Sequence, residues 1–107
     1  MHLHAPTNFR VLGEVGSERQ RQDSKWGEQN HPDGRQAPKA VVDAARLVTD
    51  NRTEAKVVTW RDILNEEVVE AYGAIGDDTH LREELVQVAA VAVAWIEAID
   101  RRQEEAA

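Results

Sequence analysis

The sequence predicts an all-α fold, a four-helix-type bundle, because apolar residues recur at helical spacing between signals that start and stop helices. The clearest evidence lies in residues 59 to 100. Thr59 followed by Asp62 resembles a capping box, and a second apolar stripe opens at Asp78 or Thr79 after a turn that contains glycine. This region therefore predicts two antiparallel helices.

The first half of the chain predicts two more helices. One runs from Asn8 to about Trp26, and a shorter one runs from Lys39 to about Val48. The shorter helix carries four apolar residues on one side, namely Val41, Ala44, Ala45 and Val48. We expect this side to face the core.

Turn residues and charged residues predict the remaining segments. Residues 27 to 38 contain two Gly, two Pro and an Asp-Gly pair, which predicts a loop, and residues 50 to 58 are predicted to be a linker. Residues 1 to 7 and 103 to 107 are predicted to be disordered. We expect a single domain over residues 1 to 107.

Composition limits the class of protein. The 107 residues include no Cys, 41% hydrophobic and 31% charged residues, which predicts a small soluble domain and suits a reducing cytoplasm. No segment resembles a signal peptide or is apolar for long enough to span a bilayer, so we expect no membrane partner. Residues 41 to 107 hold seven basic and fifteen acidic residues, which disfavours a nucleic-acid partner and suits a cation site.

Several carboxylates fall on the predicted inward faces. A turn of roughly 100° per residue places Glu67 within the apolar stripe of its helix, Glu70 at the edge, and Glu84 on the inward face of the next helix. Burying an ionised carboxylate without a partner is costly, so something cationic must meet these side chains. Oxygen ligands of this kind predict Mg²⁺, or Mn²⁺, as the cofactor. The alternatives are a solvated acidic face or ion pairs with Arg61 or Arg82.

The same residues resemble the motif of a known family. Glu66, Glu67, Glu70 and Glu84 stand in the order of the E-E-x-x-E then E-x-x-D signature of the MazG-like all-α nucleoside triphosphate pyrophosphohydrolases. The segment ERQRQDSKWGEQNHPDG and residues 60 to 102 are similar to the small MazG-like proteins of actinobacteria and their phages. The resemblance implies a helical bundle assembled as a dimer or tetramer. It also implies Mg²⁺ on the acidic motif and cleavage of a nucleotide between the α and β phosphates.

Residue roles follow from the motif. The resemblance implies Glu67, Glu70 and Glu84 as metal ligands, with Glu66 as the catalytic base or a further ligand. Where the family has Asp, this sequence has Gln87, whose carbonyl can ligate a hard cation but brings no charge. As a metal ligand, Gln87 implies either weaker metal binding or the loss of one of two metals.

The first predicted helix and the loop after it supply candidate substrate-binding residues. The inward side of this helix changes from apolar to polar along its length, which predicts a wet pocket. Arg19 and Lys25 are candidate phosphate contacts, Gln22 a candidate reader of a base edge, and Trp26 a candidate stacking partner. His31 is a candidate for the pocket mouth. The alternative is that Trp26 is core and the charges are surface.

The last predicted helix indicates self-association. Its segment LVQVAAVAVAWI is apolar on nearly every side, and a domain of this size has too few helices to surround it. We therefore expect a homodimer or homotetramer.

These features predict a Mg²⁺-dependent pyrophosphohydrolase whose substrate is a nucleotide. Gln87 favours a rival, a protein that binds a nucleotide or nucleotide signal without cleaving it. The third hypothesis is an oligomeric helical scaffold whose carboxylates pair with arginines.

Overall fold

A computed structural model describes the chain from Thr7 to Ala106, and the disorder predicted for residues 1 to 6 and for residue 107 lies outside the described residues. The described residues form four α-helices and no strand, which confirms the predicted all-α class. The helices are α1 (Thr7–Trp26), α2 (Lys39–Glu54), α3 (Trp60–Gly73) and α4 (Asp78–Ala106).

α3 begins where the sequence predicts, because Thr59 and Asp62 cap it reciprocally. The Asp62 backbone N–H donates to Thr59 Oγ1 at 3.1 Å, and the Thr59 backbone N–H donates to Asp62 Oδ2 at 3.0 Å. The Thr59 hydroxyl also donates to Asp62 Oδ2, at 2.9 Å. These hydrogen bonds hold the pKa of the Asp62 carboxyl below its usual value, and the bond from the Thr59 hydroxyl has a larger effect than the bond from the Thr59 backbone N–H.

α2 is longer than predicted, since it continues through Glu54 instead of ending near Val48. The polar segment after residue 49 predicts a linker, but a helix needs apolar residues only on the face that it buries. Arg52 Nη1 lies 3.7 Å from Asp62 Oδ2, which connects the last turns of α2 to α3. The linker is therefore confined to residues 55 to 59.

The buried face of α2 is displaced by one residue from the predicted face. Val42 and Thr49 are each 8% exposed, whereas Val41 and Val48 are 49% and 47% exposed. Both pairs are seven residues apart, so helical spacing alone does not choose between them. Gly73 determines which pair is buried. A Cβ built on Gly73 would lie 2.7 Å from Val42 Cγ2, so the absence of a side chain there lets Val42 pack against the end of α3.

Backbone contacts divide the chain into two compact units. The α3 unit comprises residues 33 to 92, and the α1 unit comprises the described residues among 1 to 32 and 93 to 107. In the α1 unit, Val11 and Val93 are buried, and Arg10 Nη2 lies 3.2 Å from Asp100 Oδ2. A single domain over the whole chain stays a prediction.

α4 extends further than the sequence predicts. Residues 103 to 106, predicted to be disordered, continue this helix to Ala106. Three large apolar side chains on α4 are exposed in the single chain: Leu85 by 50%, Val86 by 55% and Ile96 by 37%. Between residues 7 and 106, no helix combines the length and the apolar character that crossing a membrane requires.

Candidate metal centre

Three carboxylates of the α3 unit converge on one point. Glu67 and Glu70 lie one turn apart on α3, and Glu84 lies near the start of α4. One oxygen from each side chain lies within 4.8 Å of the oxygens from the other two. The structure thus brings together three residues that the sequence predicts as metal ligands, and we call these three the acidic cluster.

Two oxygens of the acidic cluster, Glu67 Oε2 and Glu84 Oε2, are buried without a hydrogen-bond partner. The Glu84 side chain is only 12% exposed. A buried carboxylate oxygen that has lost its hydration and gained no partner destabilises the fold, and a cation between such oxygens would compensate them. The residues present therefore fit a hard divalent cation, and both Mg²⁺ and Mn²⁺ accept oxygen ligands of this type.

Other oxygens of the acidic cluster contact an arginine and a histidine. Arg46 Nε donates to Glu70 Oε1 at 2.8 Å, and His80 Nε2 lies 3.2 Å from Glu84 Oε1. The hydrogen bond with Glu70, and then the charge of Glu70, raise the pKa of the Arg46 guanidinium above its usual value. The arginine that pairs with the acidic cluster is thus Arg46, and within the part of the chain that the structure describes neither Arg61 nor Arg82 forms an ion pair with these three carboxylates.

Burial and neighbouring carboxylates disfavour the ionised forms of Glu67 and Glu66. Burial, followed by the charges of Glu70 and then Glu84, raises the pKa of the Glu67 carboxyl above its usual 4.5. Burial, followed by the charge of Glu70, also raises the pKa of the neighbouring Glu66 carboxyl. Both shifts mean that the ionised carboxylate is disfavoured in the folded protein. Binding of either a proton or a cation would stabilise it.

Glu66 and Gln87 lie outside the group of three. Glu66 is half-buried and close enough to Glu70, Asp50 and Glu67 for their charges to raise the pKa of its carboxyl. Gln87 follows Glu84 by three residues on α4 and is exposed. The roles of Glu66 as base and Gln87 as ligand stay predictions.

Of the substrate-binding residues predicted on α1, Arg19, Lys25 and Trp26 are exposed and Gln22 is half-buried. Arg19 Nη1 donates to Gln22 Oε1 and Arg19 Nη2 to Asp23 Oδ1, each at 2.8 Å. Arg19 and Gln22 line an open depression of about 730 Å³ in the α1 unit. Trp26 is 62% exposed, which contradicts the alternative that it is core, and Lys25 Nζ lies 4.7 Å from the centre of its ring.

His31 shares the loop with Gln29, whose Oε1 lies 2.9 Å from His31 Nε2. The structure thus places His31 with Arg19, Gln22, Lys25 and Trp26 in the α1 unit, whereas the acidic cluster belongs to the α3 unit. The role of these five residues in substrate binding stays a prediction.

Sequence reasoning missed a cavity in the α3 unit that contains part of the acidic cluster. The cavity has a volume of about 390 Å³, and its lining includes Glu70, Glu84 and three basic side chains, Lys39, Arg46 and His80. One sequence signal for it existed: His80 precedes Glu84 by four residues, the spacing at which helical side chains meet. No comparable signal exists for Arg46, because its partner is on another helix.

Comparison with models of protein families, with curated proteins and with solved structures found no match for this chain.

Proposed function

We propose that this protein is a Mg²⁺-dependent pyrophosphohydrolase, with Mn²⁺ as a possible substitute, that cleaves a nucleoside triphosphate or related nucleotide to the monophosphate and pyrophosphate. One observation carries the proposal: Glu67 and Glu84 have buried oxygens without partners at the point where three carboxylates converge. A hard cation held by carboxylates commonly also binds substrate phosphates. The resemblance to the MazG-like motif supplies the reaction class, and the cytoplasm is the compartment that we propose for it.

In this proposal, Glu67, Glu70 and Glu84 hold the cation. When bound, the cation would neutralise the charge on the phosphate oxygens and favour ionisation of the attacking water. Glu66 accepts the proton as the water oxygen bonds to the α-phosphorus. The bond from that phosphorus to the oxygen bridging the β-phosphate breaks, and pyrophosphate leaves. The raised pKa of Glu66 suits this role, since a base transfers protons best when its pKa is near the working pH.

Pyrophosphate release from a panel of nucleoside triphosphates, with Mg²⁺ or Mn²⁺, tests the proposed reaction. We expect release by the wild type and only background release by Glu84→Gln, because the amide keeps the shape of the side chain and removes its charge. Glu83→Gln is the matched control, since Glu83 is adjacent on α4 but exposed. Equal rates for Glu84→Gln and wild type would contradict the proposal.

The second candidate function is nucleotide binding without hydrolysis, and Gln87 is the observation that favours it. An uncharged residue at that position lowers the negative charge available to a cation. Thermal unfolding measured in the same samples separates the candidates. Stabilisation by nucleotide without pyrophosphate release supports binding alone, and neither response supports the helical scaffold.

The proposal includes self-association through α4 as a homodimer or homotetramer. Its support is the exposure of Leu85, Val86 and Ile96 on this helix, since burying such side chains against another copy removes apolar surface from water. Size exclusion with light scattering at micromolar concentration is expected to give at least a dimer, and Leu85→Lys is expected to lower the mass. A monomeric wild type would refute this part of the proposal.

A further inference from the structure

The basic side chains of the cavity lie beside the proposed cation site. Arg46 comes from the middle of α2, and Lys39 is the first residue of that helix. α2 has no side-chain cap and no acidic residue in its first turn, and its first residue lines the cavity, so the positive end of its dipole lies at the cavity. These features favour an anionic ligand in the cavity.

The acidic residues of the cavity oppose such a ligand while no cation is bound. Glu70 and Glu84 line the same cavity, and Asp43 contacts Lys39 at 2.6 Å between Oδ2 and Nζ. An anion entering the cavity would therefore meet carboxylates as well as basic groups. A divalent cation on the acidic cluster reverses this balance, because it neutralises carboxylate charge at the cavity wall.

Arg46 contacts a proposed cation ligand, Glu70, and also has donor groups that an anion could bind. Its hydrogen bond to Glu70 Oε1 engages Nε, whereas Nη1 lies 3.9 Å from Asp43 Oδ1, which is too long for a hydrogen bond. The guanidinium is a fork of donors that matches phosphate oxygens, and the Arg46 side chain is 52% exposed, so a ligand can reach it.

We propose that this cavity binds the pyrophosphate portion of the substrate and that Arg46 moves from Glu70 to phosphate oxygens when the cation takes Glu70. The inference rests on the proposed function, since it assumes a cation on the acidic cluster. In the metal-free protein Arg46 competes with the cation for Glu70. In the loaded protein Arg46 is a phosphate-binding residue, and cation and phosphate binding are positively coupled.

Substitution of Arg46 therefore has opposite effects on the two ligands. Arg46→Met removes the competitor for Glu70, so the affinity for Mn²⁺ alone is expected to rise by about threefold. The same variant lacks the donor fork, so the affinity for inorganic pyrophosphate is expected to fall by about tenfold or more. Arg46→Lys keeps the charge and loses the fork, and is expected to leave Mn²⁺ affinity near that of the wild type while weakening pyrophosphate binding.

Calorimetric titration of the full chain measures both affinities. Mn²⁺ is titrated alone, and inorganic pyrophosphate is titrated with Mg²⁺ in large excess, so that the probe is always its magnesium complex. Arg52→Met is the matched control, because Arg52 is also on α2, is 51% exposed and pairs with an α3 carboxylate, Asp62. It is expected to change neither affinity.

The outcomes separate the two proposals. If Mn²⁺ does not bind the wild type, or binds Glu84→Gln equally well, the proposed cation site is refuted. If Mn²⁺ requires Glu84 but Arg46→Met binds Mn²⁺ more weakly than the wild type, or binds pyrophosphate as well as the wild type, only the role of Arg46 is refuted. Circular dichroism and thermal unfolding of each variant identify any loss of fold, and Arg46→Lys then carries the test.

Discussion

Replacement of Glu67 by Gln is expected to stabilise the metal-free protein and to abolish its stabilisation by divalent cations. Without a cation, the ionised Glu67 carboxylate is disfavoured by burial and by the charges of Glu70 and Glu84. Removal of this charge is expected to raise the free energy of unfolding by about 1 kcal/mol near neutral pH. For a domain of this size the melting temperature then rises by roughly 4 °C or more in the presence of a chelator.

When a divalent cation is present, the wild type is expected to be more stable than Glu67→Gln. A ligand that binds only the folded state at about a hundred times its Kd stabilises that state by about 2.7 kcal/mol. The wild type is expected to gain this stability in Mg²⁺ or Mn²⁺. Glu67→Gln is expected to gain almost none, because the neutral amide brings a weaker ligand and no charge to the acidic cluster. Thermal and denaturant unfolding with chelator and with cation measure both effects.

The pH dependence of the metal-free protein follows from the same carboxylates. The pKa values of Glu66 and Glu67 are raised in the folded state above their usual 4.5, so the folded state binds protons more readily than the unfolded state. Their contribution to stability is therefore fully present below pH 4.5 and is lost as the pH rises through the folded-state pKa values. Asp62 acts oppositely: its lowered pKa contributes stability above its usual 3.8 that is lost as the pH falls further.

We thus expect the gain from Glu67→Gln in chelator to shrink as the pH is lowered from about 7 toward about 4.5. Glu83→Gln is the control, since Glu83 is exposed and adjacent to the acidic cluster only in sequence. A Glu67→Gln variant that is destabilised at neutral pH in chelator would show that Glu67 has a partner in the folded protein, and the argument for a cation would fail.

The acidic cluster was accessible to sequence reasoning because it depends on local rules. The capping box at Thr59 and Asp62 fixes the start of α3, and a fixed start sets the direction of every later side chain on that helix. The directions of the Glu67 and Glu70 side chains then follow from the turn of roughly 100° per residue along the helix. Glu84 follows in the same way from the start of α4, so only the approach of the two helices had to be assumed.

Arg46 and the buried face of α2 were not accessible, because both depend on contacts between helices. Val41 with Val48 and Val42 with Thr49 are equally spaced pairs, and the apolar pair is the exposed one. The choice depends on Gly73, which is thirty-one positions from Val42 in the sequence. Spacing within one segment carries no information on such a contact. The same displacement left Arg46 unrecognised as a partner of Glu70.

Gly73→Ala is expected to destabilise the α2–α3 contact by about 2 kcal/mol. The added Cβ would lie 2.7 Å from Val42 Cγ2, and Val42 is a branched, buried residue whose methyl group cannot simply turn away. The helices must therefore separate or Val42 must leave its rotamer. Denaturant unfolding measures the loss. Gly16→Ala is the control, because a Cβ on this α1 glycine meets nothing within 4 Å and is expected to add roughly 0.5 to 1 kcal/mol.

A double-mutant cycle with Val42→Ala identifies the cause of that loss. Val42→Ala alone is expected to cost about 2 kcal/mol through the cavity that it leaves. In the double variant the new Cβ occupies that cavity. The stability lost by the double variant is therefore expected to be about 2 kcal/mol smaller than the sum of the losses of the two single variants. Additive losses would show that the two residues do not meet.

The contact between Val42 and Gly73 also affects the acidic cluster. Arg46 follows Val42 by four residues and Glu70 precedes Gly73 by three, so helices that separate here carry the Arg46 guanidinium away from the Glu70 carboxylate. Gly73→Ala is therefore also expected to raise Mn²⁺ affinity, in the same direction as Arg46→Met.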